Sequence, residues 1–233
     1  MKKFRTFIVM MVAVVGLVSS VEVSAQISVE ELCNKGVEFL DADQNESAVC
    51  YFQEAAEKGY AEAQYYLGLC YLGGYGVDEN VEEGIKWIRM AVEQGNAKAQ
   101  NDLGLCYECG VGVPQSNYEA IKLYCIAAEQ GFAPAQCNIG RCYDYGICVP
   151  QDGEEAMKWY LKAANQGLAT AQFNIGACYE TGDIVEQDYT QAVYWYLKAA
   201  RQGNEYANEQ LGFLAEEGNA DAIEALKQLE EEY

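Results

Sequence analysis

The 233-residue chain contains no histidine, and only 15 lysines and arginines stand against 36 aspartates and glutamates, a formal net charge of −21. Without histidine there is no Ser-His-Asp or Cys-His couple and no His-ligated zinc, which removes the commonest hydrolase and metalloenzyme designs. The shortage of cations opposes binding to nucleic-acid phosphates or to an anionic membrane surface. Serine is scarce too: beyond residue 25 only Ser28, Ser47 and Ser116 occur, none is followed three residues on by lysine, and no Lys-Thr-Gly exists. Long apolar runs are missing after residue 25. The one such run, Phe7 to Val18, follows Lys2, Lys3 and Arg5 and precedes Val23-Ser24-Ala25. That order spells a secretory signal peptide cleaved after Ala25, and the run is short for a membrane span of about 20 residues. The expectation is an exported protein, periplasmic or extracellular, with no membrane insertion after cleavage. Removing residues 1–25 deletes three cations and Glu22, leaving 35 acidic and 12 basic residues and a net charge of −23.

With 51% hydrophobic and 12% aromatic residues, the chain can bury a sizeable core. Its organisation comes from an internal ruler. Gly59, Gly95, Gly131, Gly167 and Gly203 are spaced by 36 residues without a slip. Ala-x-Ala-Gln follows the first four, at 61–64, 97–100, 133–136 and 169–172, and a Leu/Ile-Gly-x-Cys-Tyr block begins at Leu67, Leu103, Ile139 and Ile175. A loop glycine comes after each block, at Gly74, Gly110, Gly146 and Gly182.

Each copy reads as a helical hairpin. In copy one, Ala63, Leu67, Cys70 and Tyr71 recur at helical spacing. The second helix opens with Asn80, Ser116, Asp152 or Asp188, followed three residues later by Glu83, Glu119, Glu155 or Gln191, four capping boxes in register. The closing glycines suit the left-handed position after a helix end. Glycines inside the first helices, such as Gly68, imply close backbone approach to a neighbour. A hairpin this short cannot bury its stripe alone, so the copies must stack. The predicted architecture is a single all-α solenoid: an atypical first hairpin over 26–59, four units over 60–95, 96–131, 132–167 and 168–203, and capping helices over 204–233.

The repeated unit, Ala-x-Ala-Gln-x-x-Leu-Gly-x-x-Tyr then Ala-x-x-x-Tyr-x-x-Ala-Ala-x-x-Gly, resembles the Sel-one-like repeat family, 36-residue relatives of the tetratricopeptide repeat, over about residues 60–217. The first hairpin looks closer to a tetratricopeptide unit. Copy one departs from the pattern at Gly84, and copies three and four replace the second loop glycine by Cys148 and Ile184. The resemblance implies a right-handed superhelix whose first helices line a concave, protein-binding surface, and a scaffold or adaptor role that needs no cofactor or metal. Exported bacterial members include envelope assembly factors. One cysteine-rich branch implies, as the alternative, β-lactamase or penicillin-binding activity.

The ten cysteines divide into two sets. Cys70, Cys106, Cys142 and Cys178 are locked to the repeat. Equivalent positions in stacked hairpins lie roughly 8–10 Å apart, beyond the ~7 Å reach of a disulfide, so these read as free buried thiols. In an exported protein the others invite disulfides, with three pairings open: Cys33 with Cys50, Cys125 with Cys137, and Cys109 with Cys148. Cys106-Tyr-Glu-Cys109 spells a dithiol motif but ends a helix, where the dipole opposes a thiolate. A four-cysteine zinc site adding Cys142 and Cys148 is the metal-binding counterpart of that reading, and it is not favoured.

The tetratricopeptide-like geometry that the resemblance implies puts Glu62, Tyr65 and Leu69 on the concave face from copy one. Lys98, Asn101 and Leu105 follow from copy two, Pro134, Cys137 and Arg141 from copy three, and Thr170, Phe173 and Ala177 from copy four. Asp102, Asn138 and Asn174 lie one position on, and Glu108, Asp144 and Glu180 at the helix ends. Only Lys98 and Arg141 are basic there. The expected partner is a basic or neutral protein or peptide, because like-charge contact is unfavourable.

Overall fold

The computed structural model describes residues 27–232. The signal-peptide assignment to residues 1–25 lies outside them. Twelve helices follow one another among the described residues, with no strand. They are α1 (Val29–Asp41), α2 (Asn45–Glu57), α3 (Ala61–Gly73), α4 (Val81–Glu93), α5 (Ala97–Cys109) and α6 (Asn117–Glu129). The series continues with α7 (Ala133–Tyr145), α8 (Gly153–Ala164), α9 (Ala169–Thr181), α10 (Tyr189–Ala200), α11 (Glu205–Glu216) and α12 (Ala220–Glu232). Each helix packs on the next to build an all-α solenoid of hairpins. None of these helices is long and apolar enough to cross a membrane.

Local chemistry sets the helix ends. Asn80, Ser116, Asp152 and Asp188 accept from the backbone N–H three residues on, at 3.1, 3.3, 3.0 and 3.0 Å. Asn96 and Asn204 cap α5 and α11 in the same way. The 36-residue glycines all adopt positive φ, from 80° at Gly203 to 92° at Gly167, where a side chain would be strained.

The glycines inside the first helices have a different purpose, and the structure refines the expectation of backbone contact. A Cβ on Gly104 would sit 2.6 Å from a ring carbon of Tyr124. Gly140 and Gly176 make the same room for Tyr160 and Tyr196, and these three tyrosines are fully buried. Backbones also approach, as expected: a Cβ on Gly104 or Gly176 would lie 3.2 Å from the carbonyl of Ala120 or Ala192, and copy one is tighter still, with 3.0 Å from Gly68 to the Gly84 carbonyl and 2.9 Å from Gly84 to the Gly68 carbonyl. The Gly84 departure therefore belongs to a locally tighter hairpin in which Ile88 replaces the tyrosine.

Buried glutamines knit the copies. Gln136, 6% exposed, donates to the carbonyl of Ala128 in the preceding hairpin at 3.3 Å and accepts from Gln166 in its own at 2.8 Å. Gln64 with Gln94 and Gln172 with Gln202 repeat both bonds. Gln100 with Gln130 repeats the second.

Candidate partner-binding face

The odd-numbered helices stand side by side, and their facing residues hydrogen-bond from copy to copy. At the α3–α5 step, Lys98 Nζ donates to Glu62 Oε1 at 2.6 Å and Asn96 Nδ2 to Glu62 Oε2 at 2.7 Å. Lys98 also lies over the Tyr66 ring, 5.3 Å from its centroid, and its ammonium is held above its ordinary pKa chiefly by the Glu62 hydrogen bond. Tyr65 Oη donates to Asp102 Oδ2 at 2.8 Å, Asn101 Nδ2 to Asp102 Oδ1 at 2.9 Å, and Asn138 Nδ2 to Asn101 Oδ1 at 3.0 Å. Burial first, then Asp102, pushes the Tyr65 phenol pKa up.

At the helix ends an acid–tyrosine pair closes each later hairpin. Tyr124 Oη donates to Glu108 at 2.7 Å, Tyr160 Oη to Asp144 at 3.1 Å, and Tyr196 Oη to Glu180. Arg141 reaches back from α7 to grip Glu108 with both terminal guanidinium nitrogens, Nη1 and Nη2, at 2.7 and 2.6 Å. These bonds, Arg141 first, hold the Glu108 carboxyl below its ordinary pKa against the opposing effect of burial. Asp144 has no such cation. Burial and the nearby Asp183 raise its pKa, with the Tyr160 bond opposing.

The predicted residues therefore separate into two ends. Glu62 with Lys98, and Tyr65 with Asp102, Asn101 and Asn138, form two adjacent, internally satisfied groups, in which Tyr65 is 9% and Asn101 only 4% exposed. These two are buried structural links and offer little surface to a partner. Leu69 packs against the core there, while Leu105 is 38% exposed. Toward the C-terminus, Phe173 lies 5.5 Å from the Tyr196 ring and 6.2 Å from the Tyr206 ring, and Asn174 Nδ2 donates to Cys137 Sγ at 3.5 Å. A cleft of about 180 Å³ opens beside them, lined by Arg141, Asp144, Tyr145, Phe173, Asn174 and Asp183 among others. The sequence reading missed Tyr145, Tyr206 and Phe213, all exposed. The signal was available, because Tyr206 and Phe213 stand 36 residues after Thr170 and Ala177.

All ten cysteines are free thiols in the structure. The four repeat-locked ones are buried, and burial raises their pKa to about 11, or about 12 for Cys178. Two proposed pairings each join a buried to an exposed residue: Cys33 is buried and Cys50 exposed, Cys137 buried and Cys125 exposed. Cys109 and Cys148 are both exposed. In Cys106-Tyr-Glu-Cys109 the buried, weakly acidic Cys106 is a poor thiolate. No group of three or more Cys, Asp or Glu among the described residues is placed to hold a metal ion. Ser28 and Ser116 are both engaged as helix caps.

Stacked two-helix units with a self-bonded inner row define an α-solenoid of the repeat-scaffold class. The Sel1 repeat model matches residues 31–60, 61–96, 97–132, 133–168 and 169–204, so the chain belongs to the Sel1 repeat family, the first hairpin included. It is similar to a Sel1 repeat protein from Oxalobacter formigenes, at 32% identity and a TM-score of 0.77 over 87% of this chain and 85% of that one. It is also similar to c5321, a protective antigen of uropathogenic Escherichia coli displaying this fold, at 31% identity and a TM-score of 0.70, covering 88% of this chain but 46% of that one. An immunity protein from Pseudomonas aeruginosa, 22% identical with a TM-score of 0.61 over 84% of this chain and 74% of that one, shares the fold. No curated protein matches the chain. Sel1 repeat solenoids are in general protein–protein interaction scaffolds.

Proposed function

We propose that the chain is an exported, non-enzymatic scaffold that holds a basic or neutral protein segment on the concave face formed by its first helices. The observation that carries this reading is the state of the two cations on that face. Lys98 is engaged by Glu62 and Arg141 by Glu108, so the charge left for a partner is acidic. The export step rests on the Lys2-Lys3-Phe4-Arg5 start and the apolar run behind it.

Site-specific photo-crosslinking in the native cells tests it. A benzophenone amino acid is placed at Leu105 or Phe213 on the first-helix face, and at Tyr118 on a second helix. Protein adducts from the first two positions and none from the third are expected. Adducts confined to Tyr118 would place the binding surface elsewhere, and adducts from none of the three would remove the scaffold reading.

A further inference from the structure

Beyond Arg141, every lysine and arginine among the described residues lies on or directly after a second helix. Lys158 pairs with Glu155, Lys162 sits 3.7 Å from the centroid of the Trp159 ring, and Lys198 lies over Tyr194 and Trp195, 4.8 Å from each. Arg201 pairs with Glu232, and Lys227 belongs to α12. The first-helix face at this end consequently presents Asp144, Glu180, Asp183 and Glu209 with no compensating cation. Elsewhere on the face Glu62 is matched by Lys98 and Glu108 by Arg141, and Asp102 is held by Tyr65 and Asn101.

Apolar surface is exposed at the same end. Tyr145 is 72%, Tyr206 69% and Phe213 59% exposed, and the partly buried Phe173 ring links Tyr206 to the core through Tyr196. Tyr145 and Phe173 line the cleft and the Tyr206 ring stands 6.2 Å from Phe173, and aromatic rings beside a cleft mark a docking surface more than scattered exposed residues do. Beside them, Asp144 and Asp183 line one cleft with no lysine between them. Arg141 lines it too, but its guanidinium is bonded to Glu108.

We propose that this end of the face, over α7, α9 and α11, docks an extended peptide segment whose lysine or arginine enters between Asp144 and Asp183 and whose neighbouring apolar side chain lies against Phe173 and Tyr206. The inference rests on the scaffold reading and narrows it to one end and one peptide chemistry. Charge complementarity selects this occupant. A second copy of the chain would bring another strongly acidic surface to the site, and an acidic peptide would meet uncompensated carboxylates. An inserted cation also relieves the strain of a partly buried carboxylate that lacks a counter-charge, which is the condition of Asp144.

The test uses the mature protein and three fluorescein-labelled nonapeptides: GSRLFRLSG, its acidic counterpart GSELFELSG, and GSRSGRSSG, which keeps the charge and drops the apolar residues. Fluorescence anisotropy is read at physiological salt, where exposed charges more than ~8 Å apart are largely screened. The first peptide should bind at least about tenfold tighter than either of the others. Asp144→Asn with Asp183→Asn should weaken it about tenfold, and Tyr206→Ser should raise its off-rate. Glu82→Gln with Glu129→Gln, the same charge change on exposed second-helix positions away from the cleft, should shift it less than about twofold. The Asp144 variant is expected to keep its thermal midpoint, so lost binding is not lost folding. Equal weakening by both pairs would mean diffuse attraction and overturn the proposal. So would equal binding of the acidic peptide, or no binding of GSRLFRLSG up to ~1 mM. Sensitivity to Leu105→Ser in place of Tyr206→Ser would also overturn it, while leaving the scaffold reading intact.

Discussion

Cys70, Cys106, Cys142 and Cys178 occupy one helical position in four successive copies, and burial makes each a small apolar filler with a weakly acidic thiol. The other six split by location: Cys33 and Cys137 are buried, and Cys50, Cys109, Cys125 and Cys148 are exposed. In the reduced native protein four thiols should therefore react quickly with an aromatic disulfide reagent and six should wait for unfolding. More than four fast equivalents would show that the first-helix row is looser than described. Glu108 provides a second residue-level expectation. Its folded pKa lies below the reference value of 4.5, through Arg141 and Tyr124. A depressed carboxylate stabilises the fold above its unfolded pKa, and that stabilisation is lost as the pH falls through the folded value. Urea midpoints measured from pH 6 down through the region below about 4.5 should fall less steeply for Glu108→Gln than for wild type. Parallel curves would mean that the Arg141 grip is absent in solution.

At the scale of the element, one departure from the repeat is compensated by another. A Cβ on Gly112, in the loop after α5, would meet Val81 Cγ1 at 2.6 Å, at the start of α4. In copy four the loop residue is Ile184, and its counterpart at the start of α8 is Gly153, where a Cβ would meet Ile184 at 2.6 Å. One glycine per contact suffices, on either side. Gly153→Val should destabilise by about 1–3 kcal/mol through overpacking. Adding Ile184→Gly should recover part of that loss in a double-mutant cycle, and strictly additive effects would break the link. Such pairs mark the limit of what the sequence displays. Hairpins, caps and the left-handed glycines follow from local chemistry within one copy, so the 36-residue spacing reveals them. The Ile184–Gly153 contact, the Gln136–Ala128 bond and the burial of Tyr65 and Asn101 depend on how one copy sits on the next. Spacing along the chain does not encode that stacking distance. The candidate face was legible as a set of positions on the first helices, but its division into a satisfied end and an open one was not. That division comes from which carboxylate each cation reaches.

For the molecule as a whole, charge and topology act together. A net charge of −21 over the full chain, or −23 beyond residue 25, is spread over a one-dimensional stack. Such a fold is held by nearest-neighbour interfaces, while the repulsion acts along its length. Raising salt from ~0.01 M to ~0.15 M shortens the screening length from ~30 Å to ~8 Å, so the urea midpoint should rise over that range. A midpoint that fell would mean that ion pairs such as Arg141–Glu108 outweigh the repulsion.

The glutamine bonds also give the stack a direction in time. Gln64, Gln136 and Gln172 each donate to a carbonyl eight residues earlier, at the end of the preceding hairpin. The acceptor always lies on the N-terminal side and the donor on the newcomer. Whether the chain leaves a ribosome or an export channel, its N-terminal hairpins emerge first, so every arriving hairpin meets a neighbour whose carbonyl is already fixed in a finished helix end. Growth of the solenoid is then templated in the order in which the chain emerges, each copy serving as the mould for the next.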